Sequence, residues 1–579
     1  MKRFDSITLP HTVLVSLLLA STIWLAGCIG CAGTSPQLTT PQMNNPTLRQ
    51  RTVTAGSPGG NPSADNPANG PASADAAGLP PVEAVAVPKG LFVAAPYLQL
   101  GDGNRLSLIW TTPETGADTA KKPAKPAPLP SGTKEGAANS ANSANSANSD
   151  AATSAASKTG WQVEVRTPGA KNPKEGWKPL EGNPETRRIA PPKIAAERLY
   201  RVALPPLEPG TSLDYRVLRD GKPVFSGRAT GPKSAAQKAT FVLFGDCGTG
   251  DAPQKRVAYQ ASLIKPDLVM VTGDIVYDHG RISEYHRRFF PIYNADTASA
   301  KTGAPLMRST VFAAAPGNHD TAYTNLGRYP DGLGYFYYWD VPRNGPLTAG
   351  AKRHIPPVSG NDTAEKALQT GSGGGFPQTA NYSFDYGGVH WLVLDSNYYA
   401  DWSDEALRAW VEKDLSQSRA PWKFVALHIP PFHSSPKHQE EQYMRVLCDV
   451  FEKQGVDLVW SGHVHNYQRT FPLRFTPVRG PSGLWRDREG RVSGQWKLDT
   501  VYDGKQNTKP GGPIYVVTGA GGGPIYNKDM ASKKDQWQEF TAKYIGGHGF
   551  TVVDVEKSQV TVRQITDSGK EVDRFVLTK

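Results

Sequence analysis

The chain has 579 residues, 38% of them hydrophobic, with 58 glycines, 49 prolines and four cysteines. At about 100–200 residues per domain there is room for two to four domains, and the Gly and Pro content fits globular units on long tethers better than one compact body. A formal net charge of +11 favours nucleic acid, anionic lipid or phosphorylated compounds as partners. The chain has no dense Lys/Arg block with interleaved aromatics, so no nucleic acid is expected. Four cysteines do not make a disulfide scaffold.

The amino terminus reads as a leader. Lys2 and Arg3 precede a mostly apolar run from Val13 to Trp24, which ends at Leu25-Ala26-Gly27-Cys28. The run is shorter than the roughly 20 residues of a membrane span and has the length of a signal-peptide core. Its last four residues resemble a bacterial lipobox. That resemblance implies a signal peptide over 1–28, lipid on Cys28, and an exported cell-envelope protein anchored to a bacterial membrane, facing periplasm or exterior. Cys31, Cys247 and Cys448 then remain, an odd number, and no sequence feature pairs them. Residues 29–88 are rich in Ser, Pro, Asn, Gly, Thr and Ala and nearly free of aromatics, which predicts a disordered tether.

Residues 89–232 read as a small β-sandwich. Leu106 to Trp110 is strand-like, and Trp161, Val163 and Val165, then Leu213, Tyr215 and Val217, alternate with polar residues. A low-complexity insertion with tandem Ala-Asn-Ser triplets interrupts it at about 117–158. The stretch Leu207 to Thr211 resembles a fibronectin type III turn, although Leu213 stands where that family carries its corner tyrosine.

From about residue 236 to 579 the pattern changes to continuous apolar runs alternating with helical ones. The runs are Phe241–Phe244, Leu268–Val271, Val311–Ala315, His390–Leu394, Phe424–Leu427, Val456–Trp460 and Ile514–Val517. They predict strands covered on both faces. Pro253–Ile264, Ser403–Leu415 and Glu440–Gln454 read as helices, and 346–379 and 475–510 as long surface loops.

Five of these strands end in polar clusters: Gly245-Asp246-Cys247-Gly248, Gly273-Asp274 through Tyr277, Gly317-Asn318-His319-Asp320, His428, and Gly462-His463-Val464-His465. Ligands of open α/β sheets gather at the carboxyl ends of strands, so the clusters should converge. Asp246, Asp274, Tyr277, Asn318, His428, His463 and His465 offer oxygen and nitrogen donors suited to Fe, Zn or Mn. Seven such ligands with one bridging carboxylate can hold two ions, and such a pair can clamp a phosphoryl group.

This order of motifs resembles the purple acid phosphatase branch of the calcineurin-like metallophosphoesterases. Tyr382 to Gly387, Gly519 to Gly523 and His548-Gly549-Phe550 add to the likeness, as do Pro96 to Gln99 in the sandwich. The resemblance implies an α/β (α+β) chain: a fibronectin type III-like β-sandwich followed by a four-layer αββα catalytic domain. Most calcineurin-like enzymes carry Asp-x-His in the first motif, whereas Gly248 stands here and Tyr277 is the substitute ligand. The resemblance then puts ferric iron on Asp246, Asp274, Tyr277 and His465, and Zn, Mn or ferrous iron on Asp274, Asn318, His428 and His463. It implies hydrolysis of phosphate monoesters by metal-bound hydroxide, with a phosphorylated small molecule as substrate. His319 is the candidate proton donor or phosphate clamp, Asp320 its orienting acid, and His438, ten residues after His428, a further substrate-binding histidine. His433 is the weaker alternative. The rival readings are a phosphodiesterase or nucleotide hydrolase on the same fold, and a surface-anchored binding protein with an inactive metal site. The sequence leaves oligomeric state open.

Overall fold

The computed structural model describes residues 79, 82–114, 160–169, 175–321, 323–346 and 354–579. The expected signal peptide with Cys28 and the 117–158 insertion lie outside these residues, as does the 29–88 tether apart from residues 79 and 82–88. No helix of the described residues is long and apolar enough to cross a membrane.

The first eight strands are β1 (Ala94–Gly101), β2 (Arg105–Pro113), β3 (Trp161–Arg166), β4 (Lys178–Pro179), β5 (Glu185–Ile189), β6 (Glu197–Ala203), β7 (Ser212–Arg219) and β8 (Lys222–Thr230). They make two antiparallel four-stranded sheets, in the orders β1-β2-β6-β5 and β4-β3-β7-β8. The sheets close on one aromatic core, in which the Trp110 ring lies 5.7 Å from that of Trp161 and 5.4 Å from that of Tyr200. Buried phenols need partners for their hydroxyls. Here two of them reach into the segment that follows: Tyr215 donates to the Arg308 carbonyl at 2.7 Å and Tyr97 to the Tyr338 carbonyl at 2.9 Å.

The remaining strands are β9 (Ala239–Phe244), β10 (Leu268–Val271), β11 (Asn294–Ser299), β12 (Gly303–Pro305), β13 (Val311–Ala314), β14 (Tyr382–Tyr386), β15 (Val389–Val393), β16 (Trp422–Ala426) and β17 (Leu458–Ser461). They continue with β18 (Tyr467–Thr470), β19 (Leu473–Pro477), β20 (Gly494–Leu498), β21 (Ile514–Thr518), β22 (Thr541–Ile545), β23 (Gly549–Val555), β24 (Gln559–Thr566) and β25 (Glu571–Thr578). A six-stranded sheet runs β13-β10-β9-β23-β24-β25, and a seven-stranded sheet runs β14-β15-β16-β17-β21-β18-β22. Strands β13, β10 and β9 are parallel, as are β15, β16, β17 and β21. Their apolar runs are buried on both faces, which is why they show no alternation.

The two sheets meet across an aromatic layer, with Phe241 packed edge-on against Trp391 at 5.4 Å. The helix Ala252–Ile264 packs Val257, Ala258 and Ala261 into the core of the six-stranded sheet. The helix Glu405–Gln417 covers the far face of the seven-stranded sheet, where Leu407, Val411 and Leu415 meet Leu392, Val425 and Val459. The layers are therefore helix, sheet, sheet, helix.

Three sequence expectations are corrected. The loop expected over 346–379 holds a helix, Asp362–Gly371, whose first turn is capped by the Asn361 side chain accepting from the Ala364 amide at 2.9 Å. The loop expected over 475–510 includes most of a hairpin, β19–β20, that sets Phe475 opposite Trp496; its register rests on a cross-strand aromatic pair that a scan for long apolar runs passes over. The helix expected over 440–454 is a 3₁₀ turn at Tyr443–Leu447 followed by a short α-helix, Cys448–Lys453. Residues 438–442 consequently stay in a turn.

His390 ties β15 to two acids, with Nδ1 2.7 Å from Asp385 and Nε2 2.8 Å from Asp414. Burial alone would depress its pKa, but the two carboxylates overrule burial and raise it to about 9. A folded pKa above the unfolded value near 6.5 gives stability that is complete below pH 6.5 and lost as pH rises through 9. We predict that wild-type melting temperature falls across this window, by the equivalent of about 2–3 kcal/mol, and that H390Q starts lower and stays flat. Parallel wild-type and H390Q profiles would refute the assignment; calorimetry at half-unit pH steps decides.

Candidate metal centre

Parallel strands of both sheets deliver their carboxyl ends to one place. Asp246 follows β9, Asp274 and Tyr277 follow β10, and Asn318 and His319 follow β13. His428 follows β16, and His463 and His465 follow β17. The turns are tight. Asp246, Asp274 and His463 have φ of +56°, +50° and +66°, a left-handed conformation that costs a non-glycine residue of the order of 1 kcal/mol each. Gly317 is obligatory, because a Cβ there would lie 2.1 Å from the Asp274 amide nitrogen. A Cβ on Gly248 would lie 2.0 Å from the Ile275 carbonyl oxygen, so no side chain fits where related motifs carry histidine.

The seven expected ligand side chains come together. His465 Nε2 is 3.3 Å from Asp246 Oδ1 and 3.0 Å from the Tyr277 hydroxyl, which is itself 3.4 Å from Asp246. Asp274 Oδ1 is 3.3 Å from His428 Nε2. Asn318 Oδ1 faces His428 Nε2 at 3.0 Å and His463 Nδ1 at 2.9 Å. Asp246, Asp274 and His465 form one compact donor group, and Asp274 reaches from it toward the Asn318 side.

The outer nitrogens settle what these contacts are. His428 Nδ1 faces the Thr272 carbonyl at 2.8 Å, His465 Nδ1 the Pro524 carbonyl at 2.8 Å, and His463 Nε2 the Glu441 carboxylate at 3.0 Å. A carbonyl or carboxylate only accepts, so each outer nitrogen carries the proton. In the neutral rings the inner nitrogens present lone pairs, and two of them point at the lone pairs of Asn318 Oδ1. Acceptor facing acceptor repels unless a cation sits between, and imidazoles held by outer acceptors are the usual arrangement of metal-binding histidines. The donor set therefore fits two cations, with Asp274 placed to serve both.

The charges agree. Burial would raise Asp274, but the imidazoles of His428 and His319 hold it below the usual carboxylate range. Burial lowers His428, but Asp274 overrules it and raises that imidazole; His463 is lowered, chiefly by burial. Burial, with the charges of Asp274 and Asp246, pushes Tyr277 well above its ordinary value. A phenolate at Tyr277 thus requires a strong positive charge from outside the protein.

Around this cluster the candidates separate. His319 lies at its edge, with Nδ1 2.8 Å from the Asp278 carbonyl and Nε2 3.9 Å from Asp274 Oδ2. Asp320 does not orient His319. Its carboxylate accepts from the Gly317 amide at 2.9 Å and the Ile275 amide at 3.2 Å, so it ties the Asn318 turn to the Asp274 turn. Burial and Asp274 push Asp320 up to about 8. His438 is partly exposed, its ring centroid 4.1 Å from that of His463 and its Nδ1 2.8 Å from Glu441. His433 is buried, depressed to about 3 by that burial, and bonded to the His438 carbonyl at 3.2 Å.

Two neighbours escaped sequence reading. Glu441 joins His438 and His463, and the two imidazoles hold its carboxyl well below the usual range against its burial. The His-x-x-Glu spacing of 438 and 441 was the available signal. Tyr526 stacks on His465 at 3.9 Å with rings 11° from parallel. It lies in an irregular Gly-rich segment that carries no periodicity to flag it.

Residues 239–467 match the family model described as calcineurin-like phosphoesterase, and this segment is a domain of that class. Purple acid phosphatase 18 of Arabidopsis thaliana is 30% identical over 179 residues, which cover 29% of this chain and 32% of that protein. Acid phosphatase type 7 of Mus musculus is 23% identical over 432 residues, covering 68% of this chain and 81% of the mouse protein. The chain thus spans about a third of the plant relative's length. A purple acid phosphatase from yellow lupin seeds matches with a TM-score of 0.49 at 16% identity, over 83% of this chain and 74% of the lupin chain. Beyond that segment the chain is similar to purple acid phosphatases over part of its length.

Because Glu441 holds His463 through its outer nitrogen, E441Q should weaken binding of one ion about 10–100-fold while leaving the other in place. Metal content after graded chelation measures this. Wild-type retention of both ions in E441Q would refute it.

Proposed function

We propose that this chain is a metal-dependent acid phosphatase that hydrolyses phosphate monoesters. One observation carries the reading: two carboxylates, an amide oxygen, a phenol and three imidazoles with outer nitrogens already engaged turn their lone pairs on one pocket. Asp246, Asp274, Tyr277 and His465 would hold one ion, and Asp274, Asn318, His428 and His463 the other. Two bound cations supply Lewis-acid charge to a phosphoryl group and generate a nucleophile from water at mildly acidic pH.

The protein's own groups do the rest. The Asp278 carbonyl keeps the proton on His319 Nδ1, so Nε2 faces the site. In its protonated form that nitrogen donates to a phosphoryl oxygen or to the departing alkoxide. Glu441 fixes the proton on His438 Nδ1 in the same way, which leaves Nε2 of a partly exposed ring to meet the substrate. Asp320 keeps the Asp274 and Asn318 turns in register by gripping their backbone amides.

The phenol argues for the identity of the first ion. Burial and two carboxylates oppose ionisation of Tyr277, so a trivalent ion such as ferric iron is the better match at that position. Zinc, manganese or ferrous iron suits the other, all-oxygen-and-imidazole group.

Purified protein should carry two equivalents of metal and a visible charge-transfer band that Y277F abolishes. A colourless, metal-free wild type under all preparations would overturn the reading. H319A should lower kcat on an aryl phosphate by about 10²–10⁴ with metal content intact, and a bis-ester should be the poorer substrate. Equal rates on both esters would shift the reading to a phosphodiesterase.

Export and anchoring rest on the leader and Cys28. C28S should move the protein from the membrane fraction to the soluble one; unchanged membrane retention would refute lipidation at that residue.

A further inference from the structure

A second charged cavity of about 630 Å³ lies along β18 and β22. Its walls include Arg469, Lys505, Lys534, Trp537, Lys543 and Tyr544, and none of the seven metal-centre side chains lines it. β22 is the outermost strand of the seven-stranded sheet, so the cavity sits at that sheet's edge.

The acids in these walls are already committed. Asp573 accepts from Arg469 at 2.7 Å and from the Tyr467 hydroxyl at 2.9 Å. Asp503 Oδ1 accepts the backbone amides of Lys505, Gln506 and Asn507 at 2.8, 2.9 and 3.0 Å. Lys534 and Lys543 form no ion pair among the described residues, whereas Lys505 shares its charge with Asp503 and the neighbours Lys533 and Arg574 are paired with Asp529 and Glu571. Two unpaired ammonium groups, with Lys505 and Arg469 beside them, focus positive potential into the concavity. The Trp537 and Tyr544 rings, 6.1 Å apart and 24° from parallel, give it an aromatic side. The volume falls within the range of small-molecule sites.

We propose that this cavity is a second binding site, separate from the metal centre, for a small anion carrying two or more phosphoryl groups. A single monovalent anion would leave one of the two unpaired lysine charges, Lys534 and Lys543, unanswered. The site also adjoins the metal loop. β18 starts two residues after His465, and the Tyr544 hydroxyl accepts from Asn466 at 2.9 Å and donates to the Asn527 carbonyl at 3.0 Å, beside the Tyr526 that stacks on His465. Occupancy of the cavity therefore bears on the ring that closes the metal pocket.

The test is calorimetric titration of the full metal-loaded chain with methylenediphosphonate, which the hydrolytic reaction does not consume. Two binding events are expected. K534A/K543A should abolish one or weaken it at least tenfold, while keeping the wild-type melting temperature and the wild-type rate on an aryl phosphate. D274N should abolish the other. A single event in the wild type, or K534A/K543A binding indistinguishable from wild type, overturns the proposal. Survival of both events in D274N counts against the metal-centre reading alone, because the lysine cavity contains no metal ligand. Inorganic phosphate in place of the bisphosphonate should show only the event that D274N removes; equal affinity of both sites for phosphate would refute the need for two phosphoryl groups.

Discussion

The structure turns on a conflict of lone pairs. Three imidazoles are turned inward by acceptors behind them, and the oxygens of Asp246, Asp274 and Asn318 meet them at hydrogen-bond distances. Proteins do not gather unprotonated acceptors at their centres without something to satisfy them. A proton is a poor answer at His463, where burial works against charging the ring. Two cations answer every contact at once. The fold around the pocket follows from that requirement: parallel strands from two sheets end together, glycines let the turns approach, and three residues accept left-handed backbone to aim their side chains.

What lies behind the ligands matters as much as the ligands. Thr272, Pro524 and Glu441 fix which nitrogen of each ring faces inward. Asp320, with its pKa pushed upward by burial, is a clamp between two loops. Tyr526 closes one side by stacking on His465. None of these groups need touch a substrate, yet each limits how far a donor can drift.

Much of this was legible from the chain alone because its signals are local. Apolar runs such as Leu268–Val271 announce buried strands, and Gly-Asp, Gly-Asn-His and Gly-His-x-His at their ends announce what those strands carry. The illegible parts depend on packing or on contacts far apart in sequence. The β19–β20 hairpin needs Phe475 and Trp496 to face each other across a long loop, and the helix at 362–371 is set between Gly- and Pro-rich flanks that dominate a local reading. Adjacency in sequence tied Asp320 to His319, whereas the carboxylate turns the other way, to backbone amides. Glu441 was hidden because a helix expected from 440 would have carried it elsewhere.

Gly248 has a bearing on the phenol. With the Ile275 carbonyl 2.0 Å from where a Cβ would sit, the position is closed to every other residue until the chain from Asp274 to Tyr277 shifts. That same stretch carries the phenol. Any side chain at 248 would displace this stretch and with it Tyr277, whose amide donates to the Gly248 carbonyl at 3.1 Å. The bare backbone at 248 and the placing of the phenol are thus one coupled choice, so that a substitution at the glycine is also a perturbation of the tyrosine.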